Sequence, residues 1–243
     1  MILECDVGNT RCKWRLLQGE KLVAGGALAH SDLNYCWSDL SAVERVRLVS
    51  VAKKEVLAAL LASLQCIDVE PELAVVASTA GLVKCAYDEP AKLGVDRWAA
   101  VVAAYHYRGS AALVFDAGSA LTADLVDNNG CHLGGYIVPG VSLMKTSLLS
   151  DTGGVRFDPC DESVSLSFGK STGDGVSAGV LASQIGVISV AIEEAKRQIG
   201  EDFAILLTGG DAELLLASLP IEISERVEWI PGLVLDGLKY LLP

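Results

Sequence analysis

Basic residues are in short supply: 19 lysines and arginines face 31 aspartates and glutamates, for a formal charge of −12. A duplex-binding surface needs a clustered basic footprint, and the few bases here are dispersed, so no nucleic acid is expected as a partner. The same excess of acid repels free phosphate. Any anionic ligand has to be held locally, by backbone N–H groups, a few basic side chains and bound cations. Cysteine is present but unpaired. The seven, Cys5, Cys12, Cys36, Cys66, Cys85, Cys131 and Cys160, form no CxxC, which speaks against a disulfide framework or a zinc site and for reduced thiols in a cytosolic chain. No apolar run reaches the roughly 18 residues of a membrane span, since Ser177, Ser183, Gln184 and Ser189 interrupt the richest stretch, 176–192; no membrane partner is expected. Glu4 stands where an export signal would want a basic start, so a cytoplasmic location is expected. Histidine is rare and scattered (His30, His106, His132), and Cys131-His132 has no second ligand pair. Neither a complete GxxxxGK[ST] loop nor a GxGxxG follows any strand, and Gly169-Lys170-Ser171 lacks the leading glycine.

The 243 residues suffice for two packed domains, and a chain that is 51% hydrophobic and 21% charged is globular rather than disordered. Residues 1–5 read as a strand that enters the turn Asp6-Val7-Gly8-Asn9-Thr10. Two hairpin strands follow, over 12–17 and 21–29, then a strand over 46–52, a helix over 53–64 and a strand over 73–78. Val95, Trp98, Ala99, Val102 and Tyr105 lie on one helical stripe ending at Arg108-Gly109. The opening pattern then recurs 110 residues on: an apolar strand over 111–115, Asp116-Ala117-Gly118-Ser119-Ala120, and a second strand over 121–126. This repeat places a boundary near residue 110, with domains 1–110 and 111–243. Beyond it, helices are expected over 142–149, 176–199 and 212–219, with a strand over 203–207 and Pro220 as a stop. Hairpins first and crossover helices later make an α/β fold with mixed sheets.

Glycine after a strand lets consecutive N–H groups face a phosphate, and Asn9, Thr10 and Lys13 add donors; Asp6 can reach phosphate only through Mg²⁺ or its waters. A plain Asx-turn would look the same. Asp116 to Ser119 is the partner turn, and Thr208-Gly209-Gly210-Asp211 closes a third apolar strand, with Asp211 as a possible helix cap. In Gly94-Val95-Asp96-Arg97, an aspartate in a helix's first turn is favoured as the anion by the dipole and by Arg97. Gly175-Val176-Ser177-Ala178-Gly179 matches GxSxG but lacks the strand a nucleophile elbow needs. The helix from 176 is apolar on more than one face, which suits either a central helix or a dimer contact, and the dimer contact is the expectation.

Taken in order and spacing, the Asp6–Thr10, Gly94–Arg97, Asp116–Ala120, Gly134–Gly140 and Thr208–Asp211 motifs resemble the type III pantothenate kinases, of the superfamily of acetate and sugar kinases, heat-shock ATPases and actin. The resemblance implies two ribonuclease-H-like, actin-like ATPase domains around a cleft, a homodimer, and ATP-dependent phosphorylation of pantothenate to 4′-phosphopantothenate, the first step of coenzyme A synthesis. Carried over by position, it implies an ATP phosphate loop at Asp6, Val7, Gly8, Asn9, Thr10, Arg11, Cys12 and Lys13. Ser119, Thr208, Gly209, Gly210 and Asp211 become further ATP contacts. Asp96 becomes the catalytic aspartate, with Gly94, Val95, Arg97, Tyr87 and Thr172 around the pantothenate, and Asp116 the ligand of a monovalent cation, K⁺ or NH₄⁺. Two positions depart from the family pattern: Ser119 stands for the usual Thr, and Gly175 for the usual Ala in T-x-x-A-x-x-x-G. A related sugar or acetate kinase, or a non-enzymatic accessory factor for gene expression, would share the phosphate turns.

Overall fold

In β1 (Ile2–Val7), alternate residues Leu3, Cys5 and Val7 are buried on one face, the period-2 pattern of a strand laid on a core. A computed structural model describes residues 1–33, 40–158 and 165–243 of the chain. Cys36 and Cys160, read above as unpaired thiols, lie outside the described residues. β1 pairs antiparallel with β2 (Arg11–Gln18), and β2 with β3 (Lys21–Ala29). β4 (Arg45–Ser50) runs parallel to β1, and α1 (Lys54–Ser63) is the crossover to β5 (Glu72–Leu73), parallel to β4. The sheet order is β3-β2-β1-β4-β5. Leu3, Cys5, Val7, Cys12, Leu16, Val46, Leu48 and Leu60 share its core. A short ribbon, β6 (Thr79–Ala80) and β7 (Val83–Lys84), turns at Gly81 with φ +56° and leads to α2 (Val95–Arg108), in which every residue from 97 to 105 is buried.

The second sheet repeats the first. β8 (Ala112–Ala117), β9 (Ala120–Val126) and β10 (His132–Pro139) form an antiparallel meander. After α3 (Val141–Asp151) and α4 (Thr172–Ile199), β11 (Ala204–Thr208) returns parallel to β8. Then α5 (Ala212–Ser218) and α6 (Ile221–Ser224) lead to β12 (Val227–Trp229), parallel to β11. The order β10-β9-β8-β11-β12 copies the first sheet strand for strand. This is the ribonuclease-H-like α/β arrangement, present twice, with β8 in the place of β1.

α7 (Leu233–Leu241) closes the chain. The structure divides into one unit of Met1–His106 with Gly232–Pro243 and another of Tyr107–Pro231. The expected division at 110 assigned the C-terminus to the second domain, whereas α7 belongs to the first unit. It buries Leu233, Val234, Leu235 and Leu238, and Gly237 lies so close to α2 that a Cβ there would fall 2.2 Å from the Ala99 carbonyl oxygen. Asp236 bonds Arg15, which also bonds the fully buried Glu4 at 2.6 Å, and Arg47 meets Glu4 at 3.3 Å. Burial opposes the charge of Arg15, but the bonds to Asp236 and Glu4 outweigh it and raise its pKa.

Two elements differ from expectation. The strand expected over 73–78 pairs only at Glu72–Leu73. α4 starts four residues before 176, because the Ser171 side chain caps it by accepting from the Asp174 N–H at 3.1 Å. Ser177 of the GxSxG match is therefore buried inside a helix rather than at a strand-to-helix turn. Among the described residues α4 is long and apolar enough to cross a membrane by length and composition. Its Leu181, Ile188, Ala191, Ile192 and Ala195 pack into the core of the second sheet.

Candidate active site

Asp6 is next to last in β1, and register puts it directly opposite Lys13 of β2, with Val49 of β4 on its other side. Residues directly opposite in a sheet share a face, so Lys13 stands beside Asp6. The β1–β2 connection is tight: the Gly8 N–H donates to the Arg11 carbonyl at 3.1 Å and only Asn9 and Thr10 project, both exposed. Arg11 is exposed, whereas Val7 and Cys12 are core residues, so they can shape a phosphate site only through their backbone. The Cys5 thiol, pushed up by its hydrogen bond to Cys12 and then by burial, is the neutral thiol expected of a core residue.

At the start of α2, the Gly94 carbonyl accepts from the Trp98 N–H at 3.0 Å, and Asp96 Oδ1 accepts from the Arg97 N–H at 2.8 Å. A Cβ on Gly94 would lie 2.7 Å from that same Oδ1, so glycine here is what leaves room for the carboxylate. Arg97 is buried and donates to the Tyr87 hydroxyl at 3.2 Å. The structure thus brings together Tyr87, Gly94, Asp96 and Arg97.

Asp116 occupies in β8 the place of Asp6 in β1, flanked by Thr122 of β9 and Thr208 of β11. Three backbone segments converge on the turn that follows. The Gly140 N–H donates to the Ser119 carbonyl and the Asp211 N–H to the Ala117 carbonyl, both at 2.9 Å. A Cβ on Gly140 would fall 2.1 Å from the Gly118 carbonyl oxygen. One on Gly209, whose φ is +104°, would fall 2.2 Å from that of Ala117. Asp116, Ser119 and Thr208 to Asp211 therefore form one cluster, and Gly140 is its third wall. Asp211 sits at the N-cap of α5 without a side-chain capping bond, so a helix cap does not account for it. Thr172 is the exposed first residue of α4, and a cavity of about 230 Å³ lined by Ser165, Ser167, Phe168, Gly169, Lys170 and Asp174 lies at the same helix start. A Cβ at Gly175 would meet nothing within 4 Å, and nothing in the structure explains its replacement of alanine.

Sequence reasoning passed over His30, whose Nε2 is 3.0 Å from the Gly8 carbonyl oxygen. The signal was available: with Arg11 paired to Ala29, the next residue after β3 must arrive beside the β1–β2 turn. His132 is buried, 2.9 Å from Asp124, and His106 stacks on Tyr240. Among the described residues no three His, Cys, Asp or Glu side chains gather to hold a metal, and the five described cysteines are free. A cavity of about 260 Å³ between β9–β10 and the end of α4 is lined by Gly134, Gly135 and Tyr136 of the Gly134–Gly140 motif, and by none of the residues read as ATP, pantothenate or cation contacts.

The family model of type III pantothenate kinase matches residues 2–194. A type III pantothenate kinase of Pseudomonas aeruginosa is 39% identical, covering 100% of this chain and 99% of its own length. Among solved structures, a conserved putative Baf family transcriptional activator from Campylobacter jejuni aligns over 99% of this chain and 96% of its own, with TM-score 0.62 and 22% identity. A putative 2-dehydro-3-deoxygalactonokinase from Sinorhizobium meliloti aligns over 98% and 97%, with TM-score 0.57 and 13% identity. At those identities the two structures establish the fold alone.

Proposed function

The chain belongs to the type III pantothenate kinase family, and from that premise we propose how its own residues serve the reaction. The reaction is ATP-dependent phosphorylation of pantothenate in coenzyme A synthesis, which makes the protein a phosphotransferase with an alcohol acceptor and 4′-phosphopantothenate as product. The turn Asp6–Lys13 takes the ATP phosphates on its backbone N–H groups, Asn9, Thr10 and Lys13. Ser119 and Thr208–Asp211 take the nucleoside end. Tyr87, Gly94, Val95, Arg97 and Thr172 hold pantothenate. Asp96 orients the attacking hydroxyl and receives its proton as the new P–O bond forms and the bond to the ADP oxygen breaks.

Phosphoryl transfer passes through a loose transition state, so position and charge matter more than basicity. An aspartate in a helix's first turn beside a buried arginine is a weak base, and a weak base is sufficient here. The donors on the chain fit the ions the reaction needs. Asp116, flanked by the Thr122 and Thr208 positions and near the Ala117 and Gly118 carbonyls, offers the hard oxygen set that suits K⁺ or NH₄⁺. The Asp6 carboxylate suits Mg²⁺ arriving with its waters on the nucleotide. Such cations neutralise phosphate charge and offset the repulsion of a −12 chain.

The observation that carries this reading is the equivalence of Asp6 and Asp116, each next to last in the central strand of identically ordered sheets and each followed by a glycine turn. The test is ADP release from ATP with pantothenate, with acetate, with a panel of sugars and with no acceptor. Release is expected only with pantothenate; release with another acceptor instead, or none with any, overturns the assignment. We also propose a cytoplasmic homodimer joined through the outer face of α4. Gly175, Gly179 and Gly186 have open space there and Val190 is 59% exposed; light scattering of the purified chain reads the mass.

A further inference from the structure

His30 begins the chain segment that follows β3, and its half-buried ring reaches back to the turn between β1 and β2, with Nε2 3.0 Å from the carbonyl oxygen of Gly8. A carbonyl only accepts, so Nε2 carries a proton whenever this bond exists. The Gly8 N–H is committed as well, to the Arg11 carbonyl at 3.1 Å. Both polar groups of Gly8 are thus fixed, one by the hairpin ladder and one by a side chain from outside it. The consequence falls on the next residue. In a trans peptide unit the carbonyl of one residue and the N–H of the following one point in opposite directions, and the described residues contain no cis bond. Holding the Gly8 carbonyl toward the imidazole therefore holds the Asn9 N–H on the opposite edge of that peptide plane, away from the ring.

We infer that His30 is a positioning residue for nucleotide binding: through the Gly8 carbonyl it sets the peptide plane whose opposite edge presents the Asn9 N–H to an ATP phosphate. This rests on reading Asp6–Lys13 as the phosphate turn. Asn9 and Thr10 form an exposed two-residue loop, and a backbone donor that wanders loses most of its value as an anion ligand. His30 does not touch the substrate and supplies no proton to it.

Two variants of similar reach decide the matter. His30→Gln keeps an N–H donor at the end of the side chain, and His30→Met keeps the length and bulk without one. Steady-state kinetics of ADP release, with ATP and pantothenate varied separately, should show His30→Met raising the KM for ATP about five- to tenfold, the worth of one hydrogen bond. Its kcat and pantothenate KM should stay within about twofold, and His30→Gln should return the ATP KM to within about twofold of wild type. Equal behaviour of the two variants, or a parallel rise of both KM values, overturns the role. Asp6→Asn separates the two layers. If it leaves ATP use untouched, the turn is not the phosphate site and both readings fall. If it impairs ATP use while His30→Met does not, the role of His30 alone falls.

Discussion

Gly94→Ala is the most discriminating single methyl group that can be added to this protein. The new Cβ would lie 2.7 Å from Asp96 Oδ1, while its other neighbours, the Arg97 side-chain carbons, begin at 3.7 Å. Only the carboxylate has to move, by about 0.7 Å to reach an ordinary contact, and it must do so against its 2.8 Å bond from the Arg97 N–H. Because the atom that gives way ends a rotatable side chain, folding loses little. Glycine to alanine at a helix start costs under about 1 kcal/mol, or a melting shift below about 4 °C for a chain of this size. Catalysis is less tolerant, since a misplacement near 1 Å costs about 100-fold, which puts the expected loss of kcat between about 10- and 100-fold. The assay is pantothenate-dependent ADP release at saturating substrates, beside thermal unfolding. Wild-type kcat in Gly94→Ala would refute the claim that Asp96 works from a fixed position. A collapse of the melting temperature would refute the claim that only the carboxylate is in the way.

Three further outcomes are expected. Glu4→Gln leaves Arg15 and Arg47 beside an uncharged group in the interior and should cost about 3–5 kcal/mol in urea unfolding; a loss under about 1 kcal/mol would show the network to be incidental. Gly209→Ala forces a side chain into φ +104° and against the Ala117 backbone. It should destabilise by about 3 kcal/mol or more and raise the KM for ATP, and a variant as stable as wild type would remove Gly209 from the cluster. Replacing K⁺ by a bulky quaternary ammonium ion should lower activity more than about tenfold in wild type and have little effect on an already impaired Asp116→Asn; indifference of the wild type rejects the cation site.

What the sequence made legible was local. The duplicated strand-turn pattern at Asp6 and Asp116 is written in contiguous residues, and two sheets of the same order follow from it. α2 runs from Val95 to Arg108, as its stripe and its flanking Gly94 and Gly109 predict. The Tyr87–Arg97 bond joins residues only ten apart. What escaped depends on partners distant in the chain. The apolar face of α7 does not say which sheet it covers; that is settled by Gly237 against Ala99 and Asp236 against Arg15. The helix expected from 176 begins at Thr172, where a capping bond from Ser171 outweighs the two glycines of its first turn. Residues 74–78 read as a strand by composition, but β5 pairs with β4 only at Arg47 and Leu48. His30 has no motif at all; its place follows from register, which becomes visible only once β2 and β3 are paired.

The central claim, that the first-turn aspartate of α2 receives the proton of pantothenate's hydroxyl during transfer from ATP, is tested most directly by Asp96→Asn. Turnover and nucleotide affinity are to be measured on one preparation. The amide should reduce kcat by about 1,000-fold or more while calorimetric binding of ATP and the melting temperature stay close to wild type. An Asp96→Asn enzyme that phosphorylates pantothenate within about tenfold of the wild-type rate would contradict it.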